Sequence, residues 1–337
     1  MNVTHTLTED QYLVTHSVGP RQHGIRLDSF LKERYHRRSR AQIQRAIDDG
    51  NVHIQRNQGG HLLLGRLKHS YTLIPGDEVL VVMDRRPEPE VNFDYKIIYE
   101  DETLFVINKP SNLPVHPAGI YFFHTLLVHL RTEGLKNPLK AGREYFLVHR
   151  IDKETSGILV LTKDREVCTH LTRQFADRTT AKRYLAITRG VPPEHFSCDL
   201  AMKRSTGRIE LKMVPAPESE GGQSAFTEFR RLEVHGEFAL VECFPKTGRQ
   251  HQIRVHLDAL GFPIVGDKLY GIPESEALRF FERQNLSAEA MAKILLPRHA
   301  LHAAGITFEH PVTGATMNFK SDLPQELRDF LSRQNPA

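Results

Sequence analysis

The 337-residue sequence contains no tryptophan, three cysteines and no long apolar run. The cysteines lie far apart and are odd in number, which fits reduced thiols and argues against a disulfide framework. Ile158 to Leu161 is among the longest apolar stretches, whereas a membrane-spanning helix needs about 20 such residues. The N-terminus, with Glu9 and Asp10, lacks the apolar core of a signal peptide. We therefore expect a cytoplasmic protein without a membrane segment.

Motifs for common cofactors and metals are also missing. The chain has no glycine-rich dinucleotide fingerprint and no Walker lysine loop. Among its 19 histidines, His251 and His256 have no Glu in the zincin position, and His299 and His302 have no cysteine nearby. The kinase motif set is absent as well. We predict that the protein uses no cofactor and no metal.

Positive and negative charges are nearly balanced but unevenly distributed. The chain has 45 Lys plus Arg against 41 Asp plus Glu, for a net charge of +4. From Lys32 to Arg45, however, six basic residues accompany a single acid, Glu33. Such clusters suit a polyphosphate partner, because neutralising phosphates releases condensed counterions. The alternative is a solvated surface without a partner.

A small first domain is predicted at residues 16–84, after a polar tail of about 15 residues. Ser39 and Gln42 form a capping box, and Gly50 ends the helix that this box begins. The predicted elements are helices beginning near Leu27 and Ser39 and strands at 52–54 and 79–83.

A larger second domain is predicted at residues 93–330, after a charged, proline-containing linker at 85–92. Its strands outnumber its helices and often follow one another directly. This order favours an α+β fold with a mixed, largely antiparallel sheet flanked by helices. Residues 273–296 are predicted to be an inserted helical hairpin. The other predicted elements are strands at 104–108, 158–162, 183–188, 209–214, 225–234 and 238–244, and helices at 165–175 and 250–260.

The first candidate for chemistry is Asp152, which lies between Arg150 and Lys153. Neighbouring cations favour the ionised carboxylate, and an ionised Asp can act as a nucleophile or a base. The turn at Thr155 to Gly157 would place it just before a buried strand. The alternative is a charged loop in which Asp152 is a cap or a surface ion-pair partner.

The second candidate is the segment after Gly248, which is predicted to open a helix carrying Arg249, His251 and Arg254. Helix N-termini favour anions, and arginine adds a two-pronged donor for phosphate or carboxylate. The alternative is an amphipathic helix with an exposed polar face.

At these residues the chain resembles a known family. His149-Arg150-Ile151-Asp152-Lys153-Glu154-Thr155-Ser156-Gly157 resembles the His-Arg-Leu-Asp-x-x-Thr-Ser-Gly signature of the RluA family of pseudouridine synthases. Four further segments match that family in the same order, so the resemblance covers residues 95 to 325. These segments are Asn108-Lys109-Pro110 with Val115-His116-Pro117, Ala181 to Ala186, Thr247 to His256 with Gly266-Asp267 and Tyr270-Gly271, and Leu301-His302-Ala303 with Phe308 to Pro311.

The first domain is similar to the small RNA-binding domain of ribosomal-protein-S-four-like type. Arg26-Leu27-Asp28, Ser39-Arg40 and Gly76-Asp77 carry this similarity, while the segment at 56–69 is longer than the usual tight hairpin. The resemblance implies a small α/β module that binds RNA through Arg37, Arg38 and Arg40.

The family resemblance implies isomerisation of uridine to pseudouridine, which needs no redox cofactor. It implies that Asp152 is the nucleophile or base, that Tyr184 faces the target uracil and that Arg254 pairs with Asp152. The expected substrate-binding residues are Lys109, His149, Arg150, Arg249 and His251, together with the three arginines of the first domain.

The resemblance favours large-subunit ribosomal RNA as the substrate, with transfer RNA as the alternative within the class. An idle RNA-binding or ribosome-assembly factor and a nucleoside hydrolase that releases free uracil are the alternatives from other classes. No membrane partner and no obligate protein partner are expected.

Overall fold

The computed structural model describes residues 3–7, 11–36, 38–56, 61–63, 67–84, 88–136, 143–209, 211–282 and 284–334. The chain divides into two compact units. One unit comprises Met1–Glu88 and His129–Gly142, and the other comprises Pro89–Val128 and Arg143–Ala337. In the described part of the chain, no helix combines the length and apolarity that crossing a membrane requires.

The first unit is built on a five-stranded sheet with the order β1-β2-β5-β3-β4, in which every pair is antiparallel. The predicted polar tail is wrong, because this part of the chain supplies two strands of that sheet. Val14 and His16 are buried between exposed or half-buried neighbours, an alternation too short and too polar to stand out in the sequence. The elements are β1 (Val3–Leu7), β2 (Gln11–Ser17), α1 (Leu27–Arg34), α2 (Arg40–Asp48), β3 (Val52–Arg56), β4 (His61–Leu63) and β5 (Asp77–Asp84).

The start of α2 confirms the predicted capping box. The Gln42 backbone N–H donates to Ser39 Oγ at 3.2 Å, and the Ser39 N–H donates to Gln42 Oε1 at 2.7 Å. Ile43 and Ile47 on the inner face are buried in the apolar core of the unit. Gly50 has a φ of +77°, a conformation that glycine adopts without strain.

The second unit has a mixed, largely antiparallel sheet with flanking helices, which confirms the predicted α+β class. Its main order is β11-β14-β15-β10-β16-β9-β7-β6, with β17 paired to β16 and β8 to β9. Among the described strands of this sheet, only β9 and β16 pair in parallel. The strands are β6 (Lys96–Glu100), β7 (Leu104–Lys109), β8 (Phe146–Leu147), β9 (Ser156–Thr162), β10 (Ala181–Arg189), β11 (His195–Cys198), β14 (Thr227–His235), β15 (Phe238–Pro245), β16 (Leu301–Glu309) and β17 (Thr316–Lys320).

A separate two-stranded ribbon corrects the strand predicted at 209–214. That segment contains a turn, in which the Lys212 N–H donates to the Ile209 carbonyl at 3.0 Å, and the ribbon strand begins only at Met213. The inserted hairpin is confirmed as two helices. The ribbon strands are β12 (Met202–Arg204) and β13 (Met213–Pro215). The residues of α3 (Leu126–Lys136) are divided between the two units, and the helices of the second unit alone are α4 (Arg165–Ala176), α5 (Gln252–Ala259), α6 (Glu274–Phe281), α7 (Ala288–Ile294) and α8 (Gln325–Ser332).

The parallel contact between β9 and β16 fixes the loop that precedes β9. Gly157 pairs with Ala303 and has a φ of +111°, and a Cβ built on it would lie 2.2 Å from the Ala303 carbonyl oxygen. Only glycine allows the two backbones to approach this closely. The loop carrying Asp152 is therefore held at the start of a fully buried strand.

Candidate active site

A cavity of about 430 Å³ opens beside the loop that precedes β9. Its wall combines that loop with β10, the end of β15 and the segment leading into α5. Most of the residues singled out from the sequence of the second unit meet here. The central lining residues are Arg150, Asp152, Tyr184, Arg249, His251 and Arg254.

Arg254 joins two carboxylates at the floor of this cavity. Its Nη1 donates to Asp152 Oδ2 at 2.8 Å, while Nε and Nη2 donate to Asp267 Oδ2 and Oδ1 at 2.7 and 2.9 Å. The Asp267 side chain is fully buried, whereas that of Asp152 remains 21% exposed. Asp267 thus aims the guanidinium, and Arg254 in turn holds Asp152 at the cavity.

Asp152 is ionised at neutral pH. Burial by itself would raise its pKa, but the interactions with His251 and Arg254 outweigh burial and hold the pKa well below its usual range. A carboxylate that is ionised, aimed and open to a cavity can attack carbon or accept a proton. The arrangement agrees with the choice of Arg254 as the cation that pairs with Asp152.

Tyr184 reaches the cavity from β10 at an irregularity in the sheet. The pairing of β10 with β16 shifts between Arg183 and Tyr184, and such a bulge re-aims a side chain. Burial and the nearby Asp152 raise the pKa of the Tyr184 phenol well above its usual value. Tyr184 is therefore a neutral phenol that can stack on a base and donate a hydrogen bond.

A second group of contacts fixes the Asp152 loop from the side of β16. Lys268 donates to Glu154 Oε1 at 2.7 Å, and the His299 N–H donates to Glu154 Oε2 at 3.1 Å. Thr155 Oγ1 lies 2.8 Å from His299 Nε2. The residues immediately after Asp152 are thereby pinned by partners more than 100 positions away.

Lys109 also holds the loop that carries Asp152 in place, through hydrogen bonds to backbone carbonyls. Its side chain is fully buried, and the ammonium donates to the carbonyls of Pro110, Leu113 and Lys153 at 2.8, 3.0 and 3.1 Å. Burial lowers the pKa of Lys109 to about 7. Lys109 was predicted to contact the substrate, but its ammonium points toward these carbonyls and Lys109 is not among the residues that line the cavity. In this structure it holds the loop in place.

The remaining predicted substrate contacts of this unit lie on the cavity wall. His149 stacks on Phe175 with ring centroids 5.0 Å apart, and its Nε2 accepts the Val160 N–H at 3.1 Å. Arg150 is exposed at the cavity. Arg249 donates from Nε to the Ser224 carbonyl at 3.1 Å, away from Asp152.

Helix α5 begins later than the sequence predicts. His251 has a left-handed backbone, with a φ of +57°, and the first helical residue is Gln252. Arg249 and His251 therefore precede the helix, and the prediction that its first turns carry them is wrong. A non-glycine residue in this conformation gives no signal in the sequence pattern.

Two polar residues of the site were not singled out as site residues from the sequence. Asp267 appeared only within a matched segment, although it orients Arg254. Lys182 lines the cavity and donates to the Thr247 carbonyl at 3.0 Å, and burial lowers its pKa to about 8. The signal for Lys182 was its place two residues before Tyr184 in the same strand.

The arginines predicted to bind RNA in the first unit are described only in part. Arg40 opens α2 and is exposed, and the Arg38 guanidinium lies 5.3 Å from the centre of the Tyr35 ring. Arg37 lies outside the described residues. Across the described ranges of both units, no group of three or more His, Cys, Asp or Glu side chains is arranged to hold a metal ion.

An ionised carboxylate paired with an arginine, beside a neutral phenol in a cavity lined by further cations, is typical of an active site that takes an anionic substrate. Known proteins then identify its family. The family described as RNA pseudouridylate synthase matches residues 103–259. The protein named uncharacterized RNA pseudouridine synthase YlyB of Bacillus subtilis is 32% identical over 321 residues, covering 92% of this chain and 94% of its own.

Two further relatives agree. The ribosomal large subunit pseudouridine synthase D of Neisseria meningitidis serogroup B is 32% identical over 314 residues, which cover 92% of this chain and 78% of that protein. The solved structure of human RNA pseudouridylate synthase domain containing 4 is 30% identical, with a TM-score of 0.55, and covers 71% of this chain and 92% of its own. The chain belongs to the RluA-type family of RNA pseudouridine synthases and is an enzyme of that class.

Proposed function

We propose that this enzyme converts specific uridines of large-subunit ribosomal RNA to pseudouridine in the cytoplasm. The observation that carries the catalytic assignment is the Asp152–Arg254 pair, with a 2.8 Å contact at the floor of a cavity that Tyr184 also lines. The ribosomal substrate rests on similar proteins, such as that of Neisseria meningitidis, whose names specify the large ribosomal subunit.

Each residue of the cavity has a distinct task in this proposal. The target uridine leaves its stack to enter, because its reacting atoms are inaccessible inside a helix. Asp152 acts as nucleophile or base while the bond between ribose C1′ and uracil N1 breaks. The base turns, a bond forms between C5 and C1′, and the proton on C5 leaves while N1 gains one. Tyr184 stacks on the uracil and assists the later proton transfer, and Arg150 contacts the RNA at the cavity rim.

The first unit supplies affinity in this proposal and takes no part in the chemistry. We assign it to the ribosomal-protein-S-four-like class of RNA-binding domains, on its short helices packed with an antiparallel sheet and its basic cluster. Arg38 and Arg40, with Arg37, would contact phosphates. Phosphate contacts position a protein on RNA and weaken as the salt concentration rises.

Carbodiimide labelling of cellular RNA tests the function. Pseudouridine retains the label after mild alkali, so sites that disappear in cells lacking the gene identify both the RNA and the position. We expect the lost sites in large-subunit ribosomal RNA, with wild-type protein restoring them and Asp152→Asn failing to do so. Sites lost only from transfer RNA would overturn the ribosomal assignment. Restoration by Asp152→Asn, with deamidation excluded by mass spectrometry, would overturn the catalytic assignment.

A further inference from the structure

His251 occupies an unusual position beside Asp152. Its side chain is only 5% exposed, yet it lines the cavity, and its backbone is in the left-handed region with a φ of +57°. A non-glycine residue keeps such a backbone only where surrounding contacts enforce it, and these positions cluster at functional sites. The backbone directs the ring into the space between Tyr270 and Asp152.

One ring nitrogen of His251 is anchored and the other faces Asp152. Nδ1 lies 3.0 Å from the Tyr270 hydroxyl, which also accepts the Met213 N–H at 3.0 Å. Nε2 lies 3.9 Å from Asp152 Oδ1, too far for a hydrogen bond, and has no hydrogen-bond partner among the described residues. The anchored ring therefore presents Nε2 toward the reacting carboxylate.

The nearby carboxylate of Asp152 favours the His251 tautomer that carries its proton on Nε2. The Tyr270 hydroxyl has one proton, which it can donate to the Met213 carbonyl at 3.2 Å or to His251 Nδ1 at 3.0 Å. Donation to Nδ1 leaves the proton of the neutral ring on Nε2. The opposite tautomer would aim a lone pair at the ionised carboxylate of Asp152, which is electrostatically unfavourable.

The ring is neutral at physiological pH. Burial, together with the nearby Arg254 and Arg150, lowers the pKa of His251 to about 4 against the opposing effect of Asp152 and Asp267. A neutral N–H donates a hydrogen bond without releasing its proton. Arg254 is committed elsewhere, because Nε, Nη1 and Nη2 all donate to Asp152 or Asp267.

The two oxygens of Asp152 are consequently not equivalent. Oδ2 accepts from Arg254 at 2.8 Å, whereas Oδ1 accepts no hydrogen bond from the described residues and faces His251. A reacting atom that approaches Oδ1 comes within reach of Nε2–H. Oδ1 is therefore the oxygen of Asp152 that is open to react, and His251 Nε2 lies 3.9 Å from it.

Building on the proposed function, we propose that His251 donates a hydrogen bond from Nε2 to the departing uracil. As the C1′–N1 bond breaks, its electron pair passes to the uracil ring, whether Asp152 Oδ1 bonds to C1′ or takes the neighbouring C2′ proton. Nε2–H stabilises this anion and keeps its own proton. When C5 bonds to C1′, the carboxylate is regenerated, the C5 proton leaves and N1 is protonated. A pre-positioned donor at developing charge lowers the barrier without tightening substrate binding.

Single-turnover kinetics of His251→Phe test this role. The substrate is a transcript of whichever RNA the cellular labelling identifies, with tritium at uridine C5, so the test does not depend on the ribosomal assignment. We expect the rate of tritium release to fall about 10²- to 10³-fold, as for loss of one pre-positioned donor. RNA affinity, measured in the Asp152→Asn background, should change by less than about twofold, because the donor acts as charge develops. A rate within about threefold of wild type would overturn the proposal.

A second variant keeps the proposal testable if His251→Phe does not fold. Tyr270→Phe retains the aromatic ring at position 270 and removes the hydroxyl that contacts His251 Nδ1. Because that contact holds the imidazole with Nε2–H toward Asp152, we expect the single-turnover rate to fall roughly tenfold. An unchanged rate in folded Tyr270→Phe would contradict the anchoring. His256→Gln is the matched control, because His256 is a buried histidine of α5, the helix that follows His251, but contacts Thr227 and the Leu200 carbonyl. It should lower the unfolding temperature and leave the single-turnover rate unchanged.

Discussion

Replacing Arg254 by Ala tests the electrostatic design of the site. The change leaves Asp267, with a fully buried side chain, and Asp152 without the cation that neutralises them. Removing one partner of a buried ion pair costs about 3–5 kcal/mol, because the remaining charge stays buried. Asp267 keeps its backbone donors, the N–H groups of Leu269 and Tyr270, so we expect the lower half of that range at pH 7.5.

The sign of the pH dependence makes this prediction specific. In the wild-type protein the pKa values of Asp152 and Asp267 are lowered by folding, so their contribution is full above the unfolded pKa of about 3.9 and is lost as the pH falls through the lowered folded values. We expect both pKa values to rise when Arg254 is removed, because burial then opposes ionisation with less to offset it. The folded variant then takes up protons between pH 7.5 and 5, and its deficit shrinks by up to about 1.4 kcal/mol per pH unit for each proton.

Urea unfolding followed by circular dichroism at pH 7.5 and pH 5 measures both effects. Arg249→Ala is the control, since Arg249 is partly exposed and does not contact either carboxylate; it should change the free energy of unfolding by less than about 0.5 kcal/mol. The reasoning is refuted if Arg254→Ala loses less than about 1 kcal/mol at pH 7.5, or if its deficit is no smaller at pH 5.

Three further predictions concern the loop and the first unit. Lys109→Met leaves three carbonyls without their donor, of which that of Leu113 is fully buried, so it should lower the free energy of unfolding by about 2–4 kcal/mol in urea titrations. An unchanged free energy of unfolding would show that the ammonium does not stabilise the loop. Glu154→Gln removes the charge that accepts from two donors after Asp152, and we expect a loss of about 1–2 kcal/mol at pH 7. Because the pKa of Glu154 is lowered in the folded protein, this loss is full above the ordinary glutamate pKa of about 4.3 and disappears only as the pH falls through the lowered folded value. Replacing Arg37, Arg38 and Arg40 by Ala should weaken RNA binding and flatten its salt dependence by about one phosphate contact per arginine, with the rate at saturating RNA unchanged. A lower saturating rate in that folded variant would show that the first unit takes part in more than binding.

Local signals in the sequence were enough to predict several elements of this fold. The capping box of Ser39 and Gln42 is made by residues three positions apart, so the sequence alone specifies it. The apolar run Ile158 to Leu161 lies within β9, whose buried residues extend from Ser156 to Thr162. The succession of adjacent strands was likewise enough to predict a mixed, largely antiparallel sheet.

Elements whose stability comes from distant partners were missed. The strands β1 and β2 have few apolar residues of their own and are held by pairing, β2 with β5 from the far end of the first unit. The segment at 209–214 has strand-like composition, but a hydrogen bond from Lys212 to Ile209 closes a turn, and pairing with β12 begins only at Met213. Pairing depends on which strand lies alongside, and a one-dimensional pattern does not contain that information.

The sequence determined which residue types carry the chemistry, and only the tertiary structure decided how they meet. Asp152 was recognisable from its charged neighbours and its motif, and Arg254 from its helix, yet 102 positions separate them. The carboxylate of Asp267 that aims Arg254, the inward direction of Lys109 and the presentation of His251 depend on burial and on long-range hydrogen bonds. The physical reason is that local preferences act over a few residues, whereas the pKa and direction of a side chain are set by whatever the folded chain packs against it.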